Sequence, residues 1–205
     1  MDVALERIAN LKDNTTTRLD VSNLGLTELP PLPPYLTWLN CSFNLLTSLP
    51  ELPYTLNTLL CGDNQLTSLP DLPNGLQQLY CQTNQITALP AIPNATTELY
   101  CAYNQLTTLP ELPSTLTILG VGANQLTDLS GSFPLLTSLS CDKNKLTSLP
   151  TLPQSLSLLY CDTNLIETLT DIPTAIQLYT FNNNYLTEDT QLYLSTLGYD
   201  CGPQN

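Results

Sequence analysis

The chain has 205 residues, with 18 acidic side chains, 5 basic ones and no histidine, for a formal charge of −13. That balance disfavours nucleic acid and anionic membrane surfaces, which need basic patches, and favours a basic protein partner. Without histidine the commonest general base and the Ser–His and Cys–His pairs are missing, and the sequence has no phosphate-cradling glycine loop. Neither a catalytic residue nor a cofactor is therefore expected.

The chain opens with MDVALERIANLKDNTTT, which is polar and lacks the apolar stretch of a cleavable signal. A cytoplasmic protein is expected, or one exported without a cleavable signal peptide. Residues 2–12 read as a short helix with Leu5, Ile8 and Leu11 on one side, suited to covering an open first coil. No run of apolar residues reaches the length of a membrane span.

From residue 16 to residue 187 the sequence repeats every twenty residues. Leu falls at 39, 59, 79, 99, 119, 139 and 159, and Asn at 44, 64, 84, 104, 124, 144, 164 and 184. Two proline columns run alongside, one from Pro30 and one from Pro33. A fixed period of this size means stacked supersecondary units, here nine rows in a single domain spanning residues 1–205.

One row reads LxxLxCxxNxLTxLPxLPxx. Leu39 and Cys41, two apart, share one face of a short strand with Asn40 on the other. Such a strand cannot bury its apolar face alone and must stack on the next row, which predicts nine parallel strands centred near residues 20, 40 and so on to 180. The asparagine column suits the turn leaving each strand, because Asn offers donors and acceptors to unladdered backbone groups. Two prolines three apart exclude a helix from the return segment and push it toward extended, polyproline-like backbone, with Leu49 and Leu52 facing the core. Glu51, Asp71, Glu111 and Asp171 then form a solvated outer edge.

Cysteines at 41, 61, 81, 101, 141 and 161 share one core-facing column with Val21, Val121 and Phe181. A slot that also takes Val and Phe wants an apolar group, so these are read as packing residues and no metal site is expected. Cys201 reads as an exposed thiol outside the array.

The rows are not all alike. Row one carries Leu24 in the asparagine column, as befits a terminal unit. Row six has Gly120 and Gly122 around its strand and LSGSFP for its return, which predicts a shallow bare place on the sheet and a change of curvature. Row nine substitutes Tyr179 and Phe181 for Leu and Cys. After it, Thr187, Glu188 and Asp189 read as a helix start and Gly198 as its stop. The C-terminal cap helix is thus placed over residues 188–198, with Leu192, Tyr193, Leu194 and Leu197 as its apolar residues.

These columns resemble the leucine-rich repeats of the short bacterial type, with LPxLP returns, found in YopM-like and IpaH-like type III effectors. The cysteine column is similar to the ladder of internalin-type repeats. The resemblance implies a leucine-rich-repeat solenoid of the α/β horseshoe class, mainly β in content. Its concave face would be a parallel sheet and its convex face extended, with short capping helices at both ends. It further implies a non-enzymatic protein-interaction module, effector-like or scaffold. One alternative is the recognition half of a ubiquitin-ligase effector, although nothing here is long enough to be the catalytic domain and the 188–198 cap argues against it. Another is a structural or self-associating solenoid.

Because packing fixes the core columns, specificity must come from the variable columns on the sheet. These place Trp38, Phe43, Leu60, Tyr80, Tyr100 and Tyr103 on or beside one concave surface, with Tyr160 further along. Each large aromatic can bury about 150–250 Å², so a cluster would make an interaction patch. Asp142, Lys143 and Asp162 beside Tyr160 form a second, weaker candidate.

Overall fold

The structure, a computed structural model, describes Glu6, Arg7 and residues 17–205. Nine three-residue strands follow one another: β1 (Arg18–Asp20), β2 (Trp38–Asn40), β3 (Thr58–Leu60), β4 (Gln78–Tyr80), β5 (Glu98–Tyr100), β6 (Ile118–Gly120), β7 (Ser138–Ser140), β8 (Leu158–Tyr160) and β9 (Leu178–Thr180). They form one parallel sheet in chain order, each residue pairing with the one twenty positions on, as in Leu39↔Leu59 and Leu79↔Leu99. The period seen in the sequence is thus the register of the sheet.

Alternation decides which side each residue takes. From β2 to β8 the middle leucine is fully buried, while the residues before and after it are partly exposed, Gly120 excepted. The slot two residues after that leucine is sealed too: Val21, Cys41, Cys61, Cys81, Cys101, Val121, Cys141, Cys161 and Phe181 are all 0% exposed. Burial pushes the Cys41 and Cys81 thiols up to about 12, so they stay protonated and act as small apolar groups. The ladder also runs past the strands, with Thr37 N–H donating to Thr17 O and Cys41 N–H to Leu60 O, both at 2.8 Å.

The asparagine column ties the rows together. Asn104 Nδ2 donates to Cys101 O at 3.0 Å and Ala102 O at 3.3 Å in its own turn, and to Cys81 O at 3.0 Å in the row before. Its Oδ1 accepts the Ile86 N–H of that earlier row at 3.0 Å. The same pattern recurs at Asn44, Asn64, Asn84, Asn124, Asn144, Asn164 and Asn184. Row one has no asparagine at Leu24, but Asn44 of the next row accepts the Leu24 N–H as well.

To present these carbonyls, the residue before each asparagine adopts a left-handed conformation, with φ between 51° and 57° from Phe43 to Asn183, and Asn23 before Leu24 does the same at φ 54°. Phe43, Thr83, Tyr103 and Thr163 are residue types that avoid this region, at a cost of roughly 1–2 kcal/mol each.

The return segments contain no helix and close on a turn, with Leu56 N–H donating to Pro53 O at 3.0 Å and Leu76 N–H to Pro73 O at 2.9 Å. Leu52 is buried and Leu49 partly so, while Glu51, Asp71, Glu111 and Asp171 are exposed. In row six the turn persists without its proline, because Leu136 N–H still donates to Phe133 O at 3.2 Å. The Phe133 ring is buried against Gly131, where a Cβ would come within 2.6 Å of it.

Helix α1 (Glu188–Thr196) starts at Thr187, whose side chain accepts the Thr190 N–H, and carries Glu188 and Asp189 in its first turn. Gly198 ends it at φ 83°. Leu194 is fully buried, but Leu192 is 66% exposed and does not join the cap as the spacing predicts. The N-terminal helix expected over residues 2–12 lies, apart from Glu6 and Arg7, outside the described residues.

Cys201 corrects the expectation of an exposed thiol, since it is buried at 9% exposure. After α1 the chain re-enters the array as a partial tenth row. Tyr199, Cys201 and Gln204 fall twenty residues past Tyr179, Phe181 and Asn184. Gln204 Nε2 donates to Cys201 O at 2.7 Å, Gly202 O at 3.3 Å and Phe181 O at 3.4 Å, the donor pattern of the asparagine column. Tyr199 packs edge-on against Tyr179 and Phe181.

Two stability measurements follow, both read by urea unfolding. Asn104→Ala strands buried backbone groups of two rows and should cost about 1–3 kcal/mol, while Asn104→Asp, which cannot donate, should cost at least as much. Thr83→Asn should stabilise by about 1 kcal/mol, because Asn tolerates the left-handed region that Thr avoids. A neutral Asn104→Ala would contradict the ladder's role, and a destabilising Thr83→Asn would contradict the strain.

Candidate functional site

The sheet's open face is built from the first and third residues of each strand and the residue two positions after it. At its middle, Tyr80 and Tyr100 stand on paired strands with rings 4.8 Å apart and 13° from parallel. Glu98, one strand position before the buried Leu99, ties the pair to a polar row. It accepts the Tyr80 hydroxyl hydrogen and the Gln78 Nε2 hydrogen, the latter at 3.0 Å, and Gln78 Oε1 accepts from Thr58 Oγ1 at 3.0 Å. Burial, and then the neighbouring Glu98 carboxylate, push the Tyr80 hydroxyl well above the usual phenol range and shift Tyr100 in the same direction.

Only some of the residues singled out from sequence come together. Leu60, Tyr80 and Tyr100 pair in sequence across β3, β4 and β5. Trp38 is partly buried and its ring carries the Arg18 guanidinium at 4.0 Å. Phe43 and Tyr103 occupy the left-handed column at the rim, 61% and 58% exposed, and three rows (about 14 Å) separate them. Tyr160 also stands three rows from Tyr100, next to Thr180. The sequence-predicted cluster is therefore a stacked pair with outlying single aromatics.

The glycine row is not bare. Gly120 and Gly122 are buried because neighbours on either side lean over them. A Cβ on Gly120 would lie 3.0 Å from Tyr100 Cδ1, and one on Gly122 would lie 2.5 Å from Asp142 Oδ1. Strand pairing continues unbroken through β6, from Glu98↔Ile118 to Ile118↔Ser138. Sequence reading could have found this convergence, since a glycine between large or charged neighbours in one sheet column invites them to lean in.

Asp142 accepts from Ser140 Oγ at 2.7 Å, and Asp162 accepts from Thr180 Oγ1. At the N-terminal end, burial works against ionising Asp20. Hydrogen bonds from Ser22, with the charges of Arg7 and Arg18, overcome this and hold its carboxyl below the usual range. A recess of about 880 Å³ lies on the return side, where Leu129, Ser130 and Gly131 face Leu109, Pro110 and Glu111. It is an open groove and holds none of the aromatic side chains of the sheet face. Among the described residues no group of His, Cys, Asp or Glu converges as a metal site, and no helix is long and apolar enough to cross a membrane.

No family model and no curated protein sequence matches the chain. Solved structures do. The leucine-rich effector protein YopM from Yersinia pestis is 36% identical over 91% of this chain and 60% of its own, with a TM-score of 0.80. A Shigella effector LRR domain is 31% identical, over 99% of this chain and 87% of its own, with a TM-score of 0.69. The functional domain of InlJ from Listeria monocytogenes, described as including a cysteine ladder, is 31% identical over 90% of this chain and 47% of its own, with a TM-score of 0.67. The chain spans about half the length of the YopM and InlJ chains.

The Tyr80 environment can be read by titration. Its raised hydroxyl contributes stability that is present below the ordinary tyrosine pKa of about 10 and is lost as pH rises through the folded value. In a phenolate absorbance titration, Tyr80→Phe should remove a component that ionises above the ordinary range. A variant that keeps every late component would contradict the Tyr80–Glu98 contact.

Proposed function

Because the chain belongs to the leucine-rich-repeat family, we propose that it is a non-enzymatic protein-interaction module of the effector type. It docks a protein partner on the concave, open face of its sheet. The observation that carries this reading is the division of labour within each row. Leu, Cys and Asn are spent on packing and on the ladder, so only the flanking columns are free to differ. Those columns place the Tyr80–Tyr100 stack at the middle of the face, and tyrosine is a side chain enriched at interface hot spots. Trp38, Leu60 and Tyr160 extend the surface along the sheet, and Phe43 and Tyr103 mark its rim. The Yersinia and Shigella proteins it resembles are effectors, which supports the effector-type reading.

The stacking itself favours a second reading, in which the two tyrosines serve the sheet alone as a cross-strand pair. The two readings separate in one experiment. With the intact chain as bait, a partner is captured and its affinity measured against the Tyr80→Ser/Tyr100→Ser variant, with urea unfolding of both. Docking on this face predicts at least a roughly tenfold loss of affinity in a variant that remains folded. Unchanged affinity with a lowered unfolding midpoint would leave only the cross-strand role.

A further inference from the structure

We propose that the two-glycine row of β6 is a receptor for a cationic side chain, an arginine or lysine presented by a basic segment of the partner. Three observations converge on it. Tyr100 and Asp142 approach the row from opposite sides, the ring over Gly120 and the carboxylate over Gly122. The glycines they lean over are two residues apart along one row, which sets the aromatic ring and the anionic oxygen roughly 7 Å from one another. That spacing suits a guanidinium or ammonium, which gains from a ring within about 6 Å and from a carboxylate at its edge. Ser140 Oγ fixes the carboxylate by donating to Asp142 Oδ1 at 2.7 Å, and the stack on Tyr80 fixes the ring.

The same sheet shows the mode already satisfied at its other end, where the Arg18 guanidinium lies 4.0 Å over the Trp38 ring with Asp20 in the adjoining column. Among the described residues no such internal cation serves Tyr100. The five basic residues are Arg7, Lys12, Arg18, Lys143 and Lys145, so positions 19–142 contain none. The strand and post-strand columns of the open face carry Asp20, Glu98, Asp142 and Asp162 against Arg18 alone, and the whole chain has a charge of −13. Charge complementarity therefore selects a basic occupant.

This inference rests on docking at the open face. Its test uses the intact ¹⁵N-labelled chain and, as probe, an acetylated nonapeptide alternating glycine and arginine. The control peptide has glutamine for arginine. Saturable shifts of the Gly120 and Gly122 amides with the arginine peptide, and none with the control, are expected. Asp142→Asn, which keeps the shape, and Tyr100→Leu should each weaken binding about three- to tenfold. Glu111→Gln, the same charge change on the outer edge, should leave binding unaltered. Shifts confined to other residues, equal response to the glutamine peptide, or equal weakening by Glu111→Gln would overturn the proposal, and Asp142→Asn decides it even if Tyr100→Leu unfolds. A protein partner lost by Tyr80→Ser/Tyr100→Ser but indifferent to Asp142→Asn and to competition by the arginine peptide would overturn the cation site while leaving docking intact.

Discussion

Each asparagine of the ladder has one acceptor oxygen and two donor hydrogens, and all of them are used between two rows. The oxygen takes an N–H from the row before. The hydrogens are shared among three carbonyls, two in the asparagine's own turn and one behind it. Of these, the Ile86 N–H and the Cys81 and Cys101 carbonyls lie where the chain leaves the strand and have no backbone ladder partner, and leaving them unmade inside the protein would cost about 1–3 kcal/mol for each group. The column therefore does what helix caps and long strands do elsewhere, and lets three-residue strands hold a sheet. It also sets a local cost, because presenting the carbonyls holds even Phe43 and Thr83 at positive φ.

The rest of the row follows from that tie. A turn fixed on both sides leaves the leucine and cysteine slots no freedom, and they fill with side chains that are almost all fully buried. The prolines then need only steer the return, and row six, with Ser130 and Phe133 in its two proline columns, shows that the turn closes without either. Phe133 occupies a proline position and the closing turn remains. What stays free is the outward half of each strand, where Thr58, Gln78, Glu98 and Tyr80 have built a polar chain of their own.

The sequence makes the stack, its register and the buried columns plain because one pattern is written nine times and errors at single positions average out. Single-copy features are harder. The partial tenth row was hidden because Tyr199 and Gln204 stand where Leu and Asn do earlier, and helix α1 replaces the return before them. The left-handed column could not be inferred from Phe43, Thr83, Tyr103 or Thr163, whose side chains disfavour it. Gly120 and Gly122 read as bare when taken alone, and the signal that they are covered lies in Tyr100 and Asp142 of the rows on either side. Of the candidate surface, the identity of the exposed residues was legible, but which ones touch was not. That depends on ring orientations, which spacing does not encode.

The hydrogen bonds that join successive rows reach only from one row to the next. Excising any interior unit of twenty residues would splice an equivalent oxygen opposite an equivalent amide, and duplicating one would insert a self-sufficient pair. Length is in this sense an unconstrained dimension of the molecule. The lineage could extend or shorten its recognition surface through unequal recombination, one complete module at a time, without redesigning anything inside.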